Sequence, residues 1–235
     1  ARRRSSFFAA VCLGVLVPGV VTGQEIGTAA PGSADLESRA RRIHERVITI
    51  DTHADIPSNF ATAESDPGEP EGRQVTLPKM RAGGLDAVFF VVYVGQTERT
   101  PENDAEAKAE AMRKFEGIHR LTDEMYPDEI GFARTPDDVE RLHAEGKLVT
   151  TIGIENGYSI GTDLSLMEKY HALGARYFGL THIGHNDLAD SSMPRENLGD
   201  EEEEHGGLSE LGTRAVAEAN RLGMMVDVSH SSKKT

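Results

Sequence analysis

The run Ile50-Asp51-Thr52-His53-Ala54-Asp55 sets an imidazole and a carboxylate two residues apart. It continues Val47-Ile48-Thr49, an apolar, β-branched stretch that reads as a buried strand near 47–51. Side chains alternate along a strand, so His53 and Asp55 are expected on one face. An imidazole beside a carboxylate at a strand end is half of a divalent metal site. Alone, the pair reads more simply as a loop acid near a surface histidine. Three more candidate ligands close later apolar runs: Glu155 after LVTTIGI, His182 after RYFGLT and His230 after MMVDVS. Each also has an ordinary explanation. Glu155 could be an exposed loop acid, His182 a hydrogen-bonded core histidine, and His230 a helix cap within Ser229-His230-Ser231-Ser232.

Strands must position these groups, and five are expected, near 47–51, 86–94, 148–155, 176–182 and 224–229, with a short one over 130–133. Between them, helical spacing or capping residues predict helices over 35–46, 77–82, 135–145, 163–173 and 209–222. A long helix opens at Thr100-Pro101, with Ala105, Ala109, Met112, Ile118 and Leu121 as its apolar stripe. Residues 59–75 form a polar loop, placed where a substrate-facing flap would lie, and the acidic run 200–204 reads as a solvated loop. Alternating strands and helices with glycine stops predict parallel βα units. Candidate ligands fall only at C-terminal strand ends, where a TIM-like (β/α)8 barrel builds its site. The alternative is a doubly wound open sheet, but no Gly-x-Gly-x-x-Gly follows a first strand, so a dinucleotide site has no support. Five units cannot close eight strands. With no initiating Met and a stop soon after His230, the chain is read as the N-terminal part of a barrel, truncated to about five βα units.

Composition narrows the function. The chain carries 25 Lys+Arg against 39 Asp+Glu, a net charge of -14, which argues against a nucleic-acid partner. Arg2-Arg3-Arg4 precedes an apolar run from Phe7 to Val21 that ends in Thr22-Gly23. These features predict a signal peptide over 1–23, a linker over 24–34 and the enzyme-like part over 35–235. The protein is therefore expected to be exported: periplasmic, extracellular or membrane-attached. Cys12, the single cysteine, lies in the apolar run. The remainder then has no disulfide, cysteine-type zinc site or cysteine nucleophile, so a metal would sit on His and carboxylates.

Several motifs occur together: Asp51-Thr52-His53-Ala54-Asp55-Ile56-Pro57, Gly153-Ile154-Glu155-Asn156-Gly157, Tyr177-Phe178-Gly179-Leu180-Thr181-His182, Asn186 with Ala189-Asp190-Ser191, and Asn220 through His230. In this order they resemble the membrane (renal) dipeptidase family, peptidase family M19, among the amidohydrolase-like barrels. The resemblance runs from about residue 36 to the end. It implies a two-zinc site in which His53 and Asp55 hold one ion, Glu155 bridges both, and His230 holds the second with a further histidine. It makes Glu155 the catalytic-centre carboxylate and His182 a substrate contact near the scissile carbonyl. It also implies a water nucleophile shared by the metals, a dipeptide substrate and a homodimer. Asn156 stands where the family usually has Gly, which bears on the turn after Glu155. The second metal histidine, a substrate-carboxylate arginine and a catalytic aspartate are expected beyond Thr235, so the chain alone is expected to be inactive. Two other readings stay open: another two-metal amidohydrolase acting on a lactam, acyl-amino acid or ester, and a binding protein without catalysis.

Overall fold

The computed structural model describes residues 33–235. The expected signal peptide and nearly all of the linker lie outside those residues. Helix α1 (Ser33–His44) precedes the sheet-bearing unit and ends two residues before its expected limit. In that unit the strands are β1 (Ile50–Asp55), β2 (Ala87–Tyr93), β3 (Ile130–Phe132), β4 (Leu148–Glu155), β5 (Ala175–Gly179) and β6 (Met225–Asp227). The helices are α2 (Leu77–Gly83), α3 (Pro101–Arg120), α4 (Pro136–Ala144), α5 (Ser165–Ala172) and α6 (Glu210–Leu222).

The sheet is organised by its most apolar strands. β2, with sequence AVFFVVY, and β4, with sequence LVTTIGIE, pair in parallel from Ala87 and Val149 to Tyr93 and Glu155. Every residue of β4 is buried, as expected of a strand covered on both faces. The order is β1-β2-β4-β5-β6, all parallel, and β3 adds to the first residues of β4. This is the parallel α/β arrangement of about five βα units that the alternating pattern implied, with β3 as an extra short strand. Phe60, Phe90, Phe115, Ile118, Ile152 and Phe178 are among the buried residues of the main core.

Local chemistry explains where the helices start. Thr76, Thr100 and Thr135 each accept a main-chain N–H three residues on, and each is followed within two residues by Pro. Thr135 and Asp138 complete a reciprocal capping box. Ser209 caps α6, which stops at Gly223 in the left-handed region, φ 73°.

Several expectations need correction. The first strand lies at 50–55 instead of 47–51, and its start is open, with Val47 and Ile50 about half exposed. Among the described residues β1 pairs with β2 alone, so its apolar start is not enclosed. β5 ends at Gly179 and β6 at Asp227, so His182 and His230 stand on the turns that follow. The stripe on α3 holds at its C-terminal end, where Ile118 and Leu121 are buried and Met112 packs on the core, but at the start Ala107 and Ala111 are buried in place of Ala105, and Lys114 and Phe115 join them. Alanine-rich helices leave the phase ambiguous, and a lysine would not be counted as core. The acidic run, by contrast, is exposed from Glu201 to Glu204 as expected of a solvated loop, and it makes contacts as well. The Asp200 carboxylate accepts the main-chain N–H of His185 and Arg195, and Glu204 pairs with Arg99 at 2.7 Å.

Candidate metal centre

All five residues singled out in the sequence meet at the C-terminal end of the sheet. Glu155, 6 % exposed, is the common point. Its Oε2 lies 3.4 Å from His53 Nε2, and its Oε1 lies 3.1 Å from His230 Nε2 and 3.7 Å from His182 Nε2. Asp55 Oδ1 is 3.8 Å from His53 Nε2. The donors form two groups, His53–Asp55–Glu155 and Glu155–His182–His230, each with its ligand atoms within 4.8 Å of one another. Geometry therefore brings His182 as close to Glu155 and His230 as a ligand would stand.

The backbone is shaped to present these groups. Between Asp51 and Ala54 the register against β2 slips by one residue, a bulge in β1. The Asp51 carboxylate accepts the His53 N–H at 3.0 Å and so holds that bulge. Asp227 does the same for Ser229 N–H at 2.9 Å, one residue before His230, whose φ is 63°. Asn156 follows Glu155 with φ 73°, a region that glycine prefers and asparagine tolerates. The turn expected of glycine is thus kept. The Asn156 Nδ2 donates to Val94 O at 2.9 Å, and its Oδ1 accepts from Tyr158 N–H and Asn186 Nδ2.

Charge is unbalanced in favour of a cation. The Asp55 carboxylate, and after it Glu155, push His53 up to about 10, while His53 in turn pulls Asp55 below the usual carboxylate range. Burial pushes His182 down. Imidazole nitrogens turned toward a shared carboxylate make a donor set suited to zinc or a similar divalent ion. The metal-binding residues expected from the sequence fit such an ion.

Three contributors carried no assigned role in the sequence. Tyr93 closes β2 in register with Glu155, and its Oη is 3.2 Å from His182 Nδ1. Tyr177 is paired with Gly153 across β4 and β5, and its Oη is 3.2 Å from His53 Nδ1. Lys114, 5 % exposed, donates from Nζ to Tyr93 O at 2.8 Å. A tyrosine ending a strand level with Glu155, and a glycine opposite another tyrosine, were the available signals. A cleft of about 810 Å³ opens beside His53 and Asp55 and is lined by Asn59, Phe60, Arg73 and Val75 from the expected flap.

A parallel α/β sheet with two carboxylate-linked donor groups at its C-terminal end places a candidate metal centre where a TIM-like barrel builds its site. Residues 37–235 match the family described as Membrane dipeptidase (Peptidase family M19), and the chain belongs to that family. It is 39 % identical over 166 residues to the dipeptidase aclJ of Aspergillus oryzae, covering 69 % of this chain and 38 % of that protein. It is 32 % identical over 210 residues to the dipeptidase verJ of Clonostachys rogersoniana, covering 84 % and 52 %. The crystal structure of the probable dipeptidase PvdM from Pseudomonas aeruginosa superposes with a TM-score of 0.80 at 31 % identity, over 86 % of this chain and 51 % of that one. The chain thus spans between 38 % and 52 % of the length of these relatives.

Proposed function

We propose that the whole protein is an exported, zinc-dependent dipeptidase of the membrane dipeptidase type, with two zinc ions per complete subunit. The observation that supports this most is the pair of donor groups sharing the buried Glu155 in a chain of this family. His53 and Asp55 would hold one ion, His230 the second, and Glu155 both. Ions held there supply the charge that activates water and polarises the scissile carbonyl.

The chain's own residues do the rest. The two oxygens of Glu155 face His53 and His230 respectively, so one carboxylate joins both groups. His182 directs Nε2 toward the same centre and, as a neutral imidazole, donates to the carbonyl oxygen as charge develops there. The cleft beside His53 admits the substrate, and residues 59–75 form its wall. Export is supported by the basic head and apolar run of residues 1–23. Among the described residues no helix is long and apolar enough to cross a membrane. A homodimer is proposed from the family resemblance alone.

The test is zinc content by atomic emission beside dipeptide hydrolysis, in the whole protein and in its Glu155→Ala and Asp55→Ala variants. Glu155→Ala is expected to lose metal from both groups and Asp55→Ala from one. Full occupancy in Glu155→Ala would remove its bridging role. Turnover of a lactam or N-acyl amino acid in place of dipeptides, or ligand binding without turnover, would replace the dipeptidase reading.

A further inference from the structure

The two histidines on either side of Glu155 each present Nε2 to the centre and Nδ1 to a tyrosine hydroxyl. We propose that Tyr177 and Tyr93 are positioning residues that fix opposite tautomers, leaving His53 a metal ligand and His182 a hydrogen-bond donor. This rests on the zinc reading above and assigns what distinguishes two otherwise similar imidazoles.

A neutral imidazole carries one N–H, and a tyrosine hydroxyl can donate or accept. His53 Nε2 faces the carboxylates of Asp55 and Glu155 at 3.8 and 3.4 Å. If Nε2 gives its lone pair to an ion between them, the proton resides on Nδ1 and is donated to Tyr177 Oη at 3.2 Å. Partners of this kind orient metal-bound histidines and raise their basicity.

At His182 the polarity is reversed. Nε2 lies 3.7 Å from one Glu155 oxygen, and that negative charge favours a proton on Nε2. Nδ1 then accepts from the Tyr93 hydroxyl at 3.2 Å. An Nε2–H aimed at the centre can serve a substrate carbonyl but cannot bind a metal.

Both tyrosines are held in place by their neighbours. A Cβ at Gly153 would fall 1.9 Å from Tyr177 Cζ, so only glycine lets the ring cross β4 toward His53. The ring also packs against Phe89, centroids 5.3 Å apart. Tyr93 is pinned by Lys114, whose Nζ donates to the Tyr93 carbonyl oxygen at 2.8 Å and stands 5.5 Å from the centre of its ring. The Tyr93 ring meets His182 edge-on at 4.6 Å.

The experiment compares Tyr177→Phe and Tyr93→Phe in the whole protein, variants that keep the ring and lose the hydroxyl. Zinc affinity is measured against a competing chelator, and histidine tautomers by ring-nitrogen NMR with and without zinc. Tyr177→Phe is expected to weaken zinc binding about 10- to 100-fold, as loss of such partners does, with the His182 ring signals unchanged. Tyr93→Phe is expected to leave zinc affinity unchanged and to turn His182 from the single Nε2–H form into a mixture. A fall in zinc affinity in Tyr93→Phe would make His182 a ligand and overturn the proposal. So would unchanged affinity in Tyr177→Phe, or a His182 ring indifferent to Tyr93. A protein that binds no zinc overturns the Tyr177 half. Peptide turnover is not among the readouts, so failure to cleave dipeptides counts against the proposed function and leaves this inference standing.

Discussion

One carboxylate oxygen of Glu155 faces two imidazoles, His230 at 3.1 Å and His182 at 3.7 Å, and the difference in their roles has a measurable consequence. His182→Ala is expected to retain the zinc content of the parent and to lose about 3 kcal/mol of transition-state stabilisation, the scale of one oxyanion donor. Zinc analysis beside kcat decides it, since loss of an ion would make His182 a ligand. Lys114 gives a second prediction. Lys114→Met keeps the buried stem but leaves Tyr93 O without its partner, a loss of about 1–3 kcal/mol in stability read as a lower denaturant midpoint. Unchanged stability would mean that another donor reaches Tyr93 O. Glu155 and His230 could be named as candidates because each follows an apolar run, and His53 and Asp55 because they continue one. Lys114 could not, because a lysine amid alanines carries no sign of facing inward. Glu155 reads as an exposed loop acid when taken alone, and only the placement of β4 between β2 and β5 shows why it is buried.

At the scale of elements, the starts of helices were the most readable feature, because a Thr cap followed by Pro acts within a few residues. The lengths of β5 and β6 were not, because the RYFGLTH and MMVDVSH runs keep their apolar character past the point where pairing stops. What ends them is tertiary: Leu180 N–H still reaches Asp227 O, and the chain then turns to place His182 and His230. The contact of β4 with β5 is the most sensitive packing of the site. Gly153→Ala would drive a methyl into the Tyr177 ring, an overpacking of at least about 1–3 kcal/mol. The expected result is a lower thermal midpoint together with weaker zinc binding. A lowered thermal midpoint with zinc binding unchanged would mean that the ring matters only as filling.

For the whole molecule, alternation of strands and helices was enough to foresee a parallel α/β sheet with its candidate ligands at one end. Beyond that, the sheet order could not be read from local sequence, since β3 lies against the first residues of β4 and not between β2 and β4. An end of the sheet lined with Asp55, Glu155 and nearby imidazoles gathers negative charge that folding must bring together. A bound cation relieves it, so metal and folding are linked. Stripping the whole protein with a chelator is expected to lower its melting temperature, and zinc at about 100 times its dissociation constant to restore about 2.7 kcal/mol. A melting temperature insensitive to chelator would show that the folded chain does not bind the ion.

The turn after Glu155 also governs how the protein ages. Asn156 is followed by Gly157, a pair in which the next main-chain nitrogen meets little steric hindrance in attacking the asparagine amide. In the folded chain that attack is blocked. The amide is engaged with Val94 O, Tyr158 N–H and Asn186, and Gly157 N–H donates to Leu180 O. Unfolding releases all of these contacts at once. Ring closure by the Gly157 nitrogen expels the side-chain nitrogen as ammonia, water then opens the ring to an acid at 156, and that acid can no longer donate to Val94 O and sets a second carboxylate next to Glu155. Time spent unfolded is therefore expected to become irreversible damage, a kinetic form of instability. Mass analysis of the peptide containing Asn156, after matched incubations folded and in denaturant, should show conversion only in denaturant, with recovered zinc binding falling in step. Equal conversion in the folded protein would show that the turn gives no protection. Asn156→Gly should refold fully after the same treatment.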